Sequence, residues 1–474
     1  MKNLFELTIG IEVHVVLNSK TKMFSSSLSS HEGEVNNNIN PIDLGHPGIM
    51  PSPNKKCIEK AIVLANALNM EIANKITFDR KNYFYQDLPK GFQITQQFNP
   101  IGKKGTIKLE NGHIIEITRI HLEEDTAKQT KENGEILLDY NRSGMPLIEI
   151  VTEPCIKSSE DAALFLKELR RILIFNNISD AKMEEGSLRA DINVSVKPIG
   201  SKMFGTRVEI KNINSINNVE KAIKYEFEQQ VKQTLKNEEI LMCTKKYNDK
   251  SEETEFMRLK TTNVDYHYMV ESNIFYRTIT NEYINKTVAE NFVDINKIKE
   301  NLINSKVANE YINLLLDNIF LYKKYEKINN NVNDPNESIR WLCIELIGAL
   351  SKANKTINEV SDFYVDSIIK IIKLLKENKI NGKQAKEIIK LLIETNKDVK
   401  TIIEENNFKQ ITDKNVLKEI LLKYISTNEN MVKQYNDRPE RVEKFFIGMV
   451  MKETNGQANP DITNEVFVEL IKNK

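Results

Sequence analysis

Glu12 and His14 stand two positions apart in Leu7 to Val16, a segment whose apolar residues alternate. In an extended strand that spacing sends both side chains off one face. Three more alternating segments repeat the arrangement: Asp191 with Asn193, Arg207 with Glu209 and Lys211, and Glu149 with Glu153. Glu123, Glu124 and Asp125 close a fifth. Converged, these faces would hold several carboxylates, an imidazole and at least one guanidinium. Oxygen donors with an occasional imidazole suit Mg²⁺, which keeps part of its water and bridges to substrate phosphates. Arg and Lys nearby suit phosphate oxygens. Without a cation the carboxylates would repel each other, and some would take up protons. The same pattern also fits a solvated sheet face laced with cross-strand ion pairs.

Two turns add a second signal. Tyr140–Pro146 precedes the Glu149 strand and Glu185–Arg189 precedes the Asp191 strand, and each holds an Arg and a Gly. Glycine permits close backbone approach, and Arg142 and Arg189 could grip phosphate or carboxylate. Neither turn is a P-loop, and GxSxG and HExxH are absent. The run Arg80–Gly91 mixes bases with Tyr83, Phe84 and Tyr85, a blend that either stacks on nucleobases or packs as a rim.

The elements that must carry these residues follow from periodicity. Strands are predicted over 7–16, 147–153, 190–196 and 207–211. Helices are predicted over 57–69, 159–175, 218–236, 364–377, 383–395 and 440–454, the last stopped by Asn455-Gly456. Asn-rich stretches at 328–333 and near 406 are candidate linkers. Most of the 17 Gly fall before residue 210, and all six His before 270. The chain thus divides into an α+β first part of ~290 residues and an all-α remainder. With 67 basic and 67 acidic residues, it is not uniformly basic, though a basic face stays open. No apolar run is long enough for a membrane span and no targeting segment leads the chain, so a cytoplasmic location is expected. Cys57, Cys155, Cys243 and Cys343 lie far apart, which excludes a disulfide scaffold and a local cysteine zinc knuckle. On residue types alone, a Mg²⁺-dependent phosphotransferase on a small substrate ranks first.

Six long motifs then narrow the choice: GIEVHVVLNSKTKMFS (10–25), FDRKNYFYQDLPKGFQITQ (78–96), HLEEDTAK (121–128), DYNRSGMPLIEIVTEP (139–154), MEEGSLRADINVSV (183–196) and GTRVEIKNINS (205–215). With the tail segment 456–460, they resemble the GatB family, the B component of the aspartyl/glutamyl-tRNA amidotransferases, in order and nearly end to end. The resemblance implies a cradle-shaped α+β catalytic domain (1–290), a helical domain (291–405) and a small helical tail (406–474) that meets tRNA. It implies two partner proteins of a heterotrimer, the A component, which is a glutaminase, and the C component. It implies ATP and Mg²⁺ as cofactors, and as substrates Asp-tRNA(Asn) or Glu-tRNA(Gln), amidated through phosphorylation of the side-chain carboxylate. Carried onto this sequence, it makes Glu12, His14, Glu124 and Glu149 the metal residues. Glu124, Glu149, Asp191 and Glu209 become catalytic candidates, with Glu185 behind them. Arg142, Arg189, Arg207, Lys128 and Lys211 become candidates for ATP phosphates or the aminoacyl-adenosine end.

The departures from the family pattern carry expectations of their own. Many members hold zinc on four cysteines between positions corresponding to Phe24 and Pro51; here that stretch has Ser25, Ser26, Ser27 and Asp43 and no cysteine, so no zinc is expected. The segment 265–274 keeps little of the family pattern, and no role is assigned to it. A noncatalytic RNA-binding factor on the same fold remains an alternative.

Overall fold

The computed structural model describes residues 4–260, 266–408, 411–454 and 456–472. Asn455 of the expected helix stop and Asp265 of the degraded segment lie outside the described residues. The chain divides into two compact units, 1–295 and 296–474. The first mixes sheet and helix and the second is helical, so the fold class is α+β.

The first unit is built on a nine-stranded sheet. Its strands are β1 (Phe5–Val16), β2 (Glu71–Ile72), β3 (Gly102–Lys108), β4 (Ile114–Glu124), β5 (Pro146–Thr152), β6 (Leu188–Pro198), β7 (Val208–Lys211), β8 (Cys243–Asn248) and β9 (Glu253–Leu259). Their order across the sheet is β9-β8-β7-β6-β1-β5-β4-β3-β2. Alternation decides which face is covered. Ile9, Ile11, Val13 and Val15 of β1, Ile148 and Ile150 of β5, and Ile192 and Val194 of β6 are all buried in one core. Helices α1 (Lys55–Ala67), α2 (Ser159–Phe175) and α3 (Ile216–Leu235) contribute Leu64, Phe165 and Val219 to it. Each helix starts where a side chain accepts an orphan N–H: Asn54 from Lys56, Ser158 from Asp161 and Ser215 from Asn218. The opposite face is thereby left to the polar alternates.

A smaller three-stranded sheet pairs Asp79–Asn82 with Phe92–Thr95 and with Met269–Val270. The segment after Phe24 is held by a buried ion pair. Lys22 Nζ lies 3.4 Å from Asp43 Oδ2, with both side chains nearly sealed from solvent. Ser25 and Ser27 donate to the same carboxylate at 2.7 and 2.6 Å.

In the second unit, α4 (Asp362–Lys376) and α5 (Gly382–Thr395) bury Ile368, Ile372, Ile388 and Leu392, and leave their lysines outside. Helices α6 (Lys414–Thr427), α7 (Pro439–Glu453) and α8 (Pro460–Lys472) close a core around Phe446 and Phe467. One expected linker is not a linker. Residues 328–332 complete a helix, Ile319–Val332, and Asn333 ends it at φ 52°. Asn tolerates that left-handed cap better than other side chains. No described helix is long and apolar enough to cross a membrane.

Candidate active site

Register builds the site. Arg189, His14, Glu149 and His121 are direct cross-strand partners on β6, β1, β5 and β4. The next row on the same face is Asp191, Glu12, Val151 and Arg119. Directly paired residues share a face and sit within side-chain reach. His14 Nε2 lies 3.3 Å from Glu123, 3.4 Å from Glu149 and 3.9 Å from Glu12. His121 Nε2 lies 3.2 Å from Glu149 and 3.8 Å from Glu123. Two overlapping sets, Glu12–His14–Glu149 and His121–Glu123–Glu149, each bring one donor atom per residue within 4.8 Å of the others. Hard carboxylate oxygens and imidazole nitrogens at that spacing fit one divalent cation per set, with Glu149 common to both.

The charges hold each other in place. Burial opposes a charge on His14 most strongly, yet hydrogen bonds and charges from Glu123 and Glu149 outweigh it and keep the imidazole protonated well above its usual range. His121 is pushed up to about 9 by Glu149 and Glu123, against burial. Burial also opposes the charges on Glu123 and Glu149, but the two imidazoles prevail and hold both carboxyls well below the usual range. Glu12 goes the other way: burial and the neighbouring Glu149 raise it. Without a cation, two imidazolium protons thus stand in for the positive charge the carboxylates require.

The flank of this cluster is basic. Arg189 donates to Asp125 at 3.0 Å, and Arg142 Nε lies 3.6 Å from the same carboxylate while the guanidinium donates to the Thr126 and Ala127 carbonyls. Lys211 donates to Asp191 and lies 3.7 Å from Glu209. Thr244 and Lys260 also donate to Glu209, at 2.8 Å each. So Glu12, His14, Glu149, Asp191, Glu209, Lys211 and Arg189 are drawn together across neighbouring strands, and Arg142 joins them from the turn before β5.

Other expected residues are not. Glu124 leaves the opposite face of β4 from Glu123. Its carboxylate accepts from Lys90 Nζ at 2.5 Å and from the Ile94 N–H at 3.0 Å. The expectation that it stands with His14 is therefore corrected, and Glu123 takes that place. Lys128 is exposed at the root of the hairpin 128–139. Glu185 is exposed and pairs with Lys182. Arg207 precedes β7 rather than lying in it, and borders a cleft that ends at Glu12. Glu153 does not join Glu149. A bulge at Val151/Thr152 breaks the alternation, and Glu153 accepts from Thr118 instead.

Two groups at the site were given no role there by the sequence. The first, His121 and Glu123, could have been found, because the apolar pair Ile120 and Leu122 already places them on the polar face. The second, Lys81 with Tyr83, Tyr266 and Tyr268, could not, since it depends on pairing 79–82 with 269–270. Lys81 Nζ sits 4.8 Å from the Tyr266 ring centre, and the Tyr83 and Tyr266 rings are 5.7 Å apart. Burial opposes the charge on Lys81, but the charges of Glu123, Tyr268 and Glu149 hold its ammonium protonated above the usual range. The degraded segment thus has a place: Tyr266 covers Lys81, Tyr268 packs on Tyr266, and Glu271 takes two hydrogen bonds from Arg80.

Comparison with known proteins places this geometry. Residues 7–285 match the GatB/GatE catalytic domain and residues 323–471 the GatB domain. The chain is 67% identical, over all of its length and 98% of the relative, to the B subunit of the aspartyl/glutamyl-tRNA(Asn/Gln) amidotransferase of Malacoplasma penetrans (strain HF-2). The chain belongs to the GatB family of aspartyl/glutamyl-tRNA amidotransferases. GatB relatives of the same name from Ureaplasma urealyticum serovar 10 and Mycoplasma genitalium are 45% and 46% identical over 99% and 98% of this chain, and over 99% and 96% of their own. The GatB catalytic domain is therefore the nine-stranded sheet with its helices. Both cation sets lie inside the matched catalytic segment, on β1, β4 and β5.

Proposed function

We propose that this chain amidates Asp or Glu esterified to tRNA(Asn) or tRNA(Gln), using ATP and ammonia supplied by a glutaminase partner, in a cytoplasmic complex of three different proteins. The observation that carries this reading is the row Arg189–His14–Glu149–His121, flanked by Glu12 and Glu123: hard ligands beside guanidinium groups on the polar face of the sheet. The reaction has two steps. The side-chain carboxylate attacks the γ-phosphorus of ATP, the bond to ADP breaks and an acyl phosphate forms. Ammonia then attacks the carbonyl carbon, the C–O bond to phosphate breaks, and the nitrogen gives up a proton.

Glu12, His14, Glu123, His121 and Glu149 would hold Mg²⁺, whose chemistry when bound is to neutralise phosphate oxygens and align them for in-line transfer. Arg142 and Arg189 lie where phosphate oxygens would meet guanidinium N–H groups. Lys81, under the Tyr266 ring, adds a third cation. Asp191, opposite Glu12 on the neighbouring strand, would orient ammonia and accept its proton. No step calls for a protein nucleophile. The lysine-bearing faces of the second unit would meet tRNA phosphates and shape rather than bases.

The coupled reaction tests the proposal. With both partner proteins, glutamine, ATP, Mg²⁺ and mischarged tRNA, amide and ADP should appear only when every component is present. ADP release that ignores tRNA would replace this reading with a small-substrate phosphotransferase. Bound tRNA without ADP release would replace it with a noncatalytic factor.

The electrostatics give a second expectation. The folded-state values of His14 and His121 lie above the unfolded ~6.5. Their protonated forms therefore stabilise the cation-free fold fully below about pH 6.5, and that contribution fades as pH rises through the folded values, near 9 for His121. A cation binds the neutral imidazole and must displace these protons. The rise in Tm on adding Mg²⁺ should therefore grow between pH 6.5 and 9. A scanning measurement at constant ionic strength checks it; a rise independent of pH would contradict the ligand assignment.

A further inference from the structure

The row that begins Asp191–Glu12 ends in a charge that the sheet does not answer. Arg119 on β4 closes it beside Val151, and the direct partner of Arg119 on its other side is Lys103 of β3. Direct pairing puts both cations on the polar face. Arg119 is half-buried, and its Nε is sealed from solvent with no hydrogen-bond partner. Among the described residues its guanidinium has neither an ion pair nor a hydrogen bond. Other bases of this face are occupied: Arg142 and Arg189 by Asp125, Lys211 by Asp191 and Lys260 by Glu209. Glu149, diagonal to Arg119 on β5, is taken by the two imidazoles. Glu71 of β2, which faces Lys103, is tied to Lys104 at 3.2 Å. Like charges directly opposite on a sheet are destabilising, and buried polar atoms are nearly always satisfied. A guanidinium beside an ammonium, with an orphaned N–H, therefore calls for an anion from outside the chain.

Position decides which anion. Arg189 stands at one corner of the cation sets, on β6, and Arg119 at the opposite corner, on β4. In the reaction proposed above, the ATP phosphates take the corner of Arg142 and Arg189. In-line transfer puts the attacking oxygen on the far side of the γ-phosphorus from the departing ADP. The attacking group then approaches from the β4 side, and that group is the side-chain carboxylate of the esterified Asp or Glu. A guanidinium offers donors only, in a fork that fits a carboxylate, so one oxygen can be held while the other attacks. The amide product carries no charge and turns an NH₂ donor to the same fork.

We propose that Arg119, assisted by Lys103, binds the side-chain carboxylate of the aminoacyl group and so distinguishes mischarged tRNA from its amidated product. The choice of ligand rests on the function proposed above. Binding to the full-length chain, with Mg²⁺ and without ATP, tests it, using Glu-tRNA(Gln) against Gln-tRNA(Gln). The unaltered chain should prefer Glu-tRNA(Gln) by about tenfold or more, the worth of one hydrogen-bonded charge. Arg119→Gln should remove most of that preference by weakening Glu-tRNA(Gln) alone, and Arg119→Lys should restore part of it. An unaltered chain without the preference would overturn the proposal. So would an equal loss of both tRNAs in Arg119→Gln, which marks a phosphate contact or a merely structural side chain. A loss of Mg²⁺-ATP binding in the same variant would mark a nucleotide contact and overturn it too. Lys103 is exposed, so Lys103→Gln tests the same point if Arg119→Gln does not fold. It should narrow the preference severalfold, and an unchanged preference would overturn the proposal. A complex that does not amidate but keeps an Arg119-dependent preference would sink the proposed function and leave this site standing. Amidation with a preference independent of Arg119 would do the reverse.

Discussion

Glu149→Gln is expected to lower ATP-dependent amidation by about 10³-fold or more while the chain stays folded. Glu149 is the one residue shared by both cation sets, and it lies 3.4 and 3.2 Å from His14 and His121. Glutamine keeps its shape and much of its hydrogen bonding but removes the charge that holds both imidazoles and would face a cation. A factor of 10³ corresponds to about 4 kcal/mol of transition-state stabilisation, within the range for removing one aligned electrostatic group. The check is single-turnover amidation in the complex, with the glutaminase rate of the partner as control. Amidation within tenfold of the unaltered complex would mean that the chemistry lies elsewhere on the sheet.

Glu123→Gln and Glu124→Gln should behave oppositely, although the two residues are adjacent. Glu123 touches His14 and His121 on the polar face and belongs to one of the two cation sets, so its loss should lessen the rise in Tm on adding Mg²⁺. Glu124 points the other way, and its side chain and that of Lys90 are each only 4% exposed. Its loss leaves a buried ammonium uncompensated, which costs about 3–5 kcal/mol, but should leave the Mg²⁺ response in place. Paired denaturation curves with and without Mg²⁺ distinguish the two. If Glu124→Gln lost the Mg²⁺ response and Glu123→Gln kept it, the face assignment of β4 would be wrong.

That contrast also marks how far the sequence could be read. The polar faces of β1, β6 and β7 were legible because their apolar alternates are uninterrupted, and Glu12, His14, Asp191 and Glu209 fall where alternation puts them. The helices were legible to within a few residues from their 3.6 periodicity and their Asn and Ser caps. Alternation fails where a strand bulges. The extra residue at Thr118 and the shift at Val151/Thr152 separate Glu153 from Glu149. Glu124 came from the family resemblance rather than from alternation, and it is Glu123 that shares the face of His121, opposite Ile120 and Leu122. Lys81 and its tyrosines were beyond reach, because a pairing between residues nearly 190 positions apart carries no local signal. The Asn-rich 328–333 misled for a chemical reason: Asn is a poor helix former by propensity, yet Leu321, Tyr325 and Ile328 bury one face and carry the helix through it.

The most direct test of the central claim follows oxygen atoms. Glu-tRNA(Gln) labelled with ¹⁸O in both side-chain carboxylate oxygens is amidated by the complex with unlabelled ATP, and the released phosphate is analysed by mass. Phosphorylation of the carboxylate on this sheet face requires one ¹⁸O in each phosphate released, and one retained in the amide. Phosphate free of ¹⁸O, at full amide yield, would contradict an acyl phosphate and with it the roles of Glu12, His14, Glu123 and Glu149.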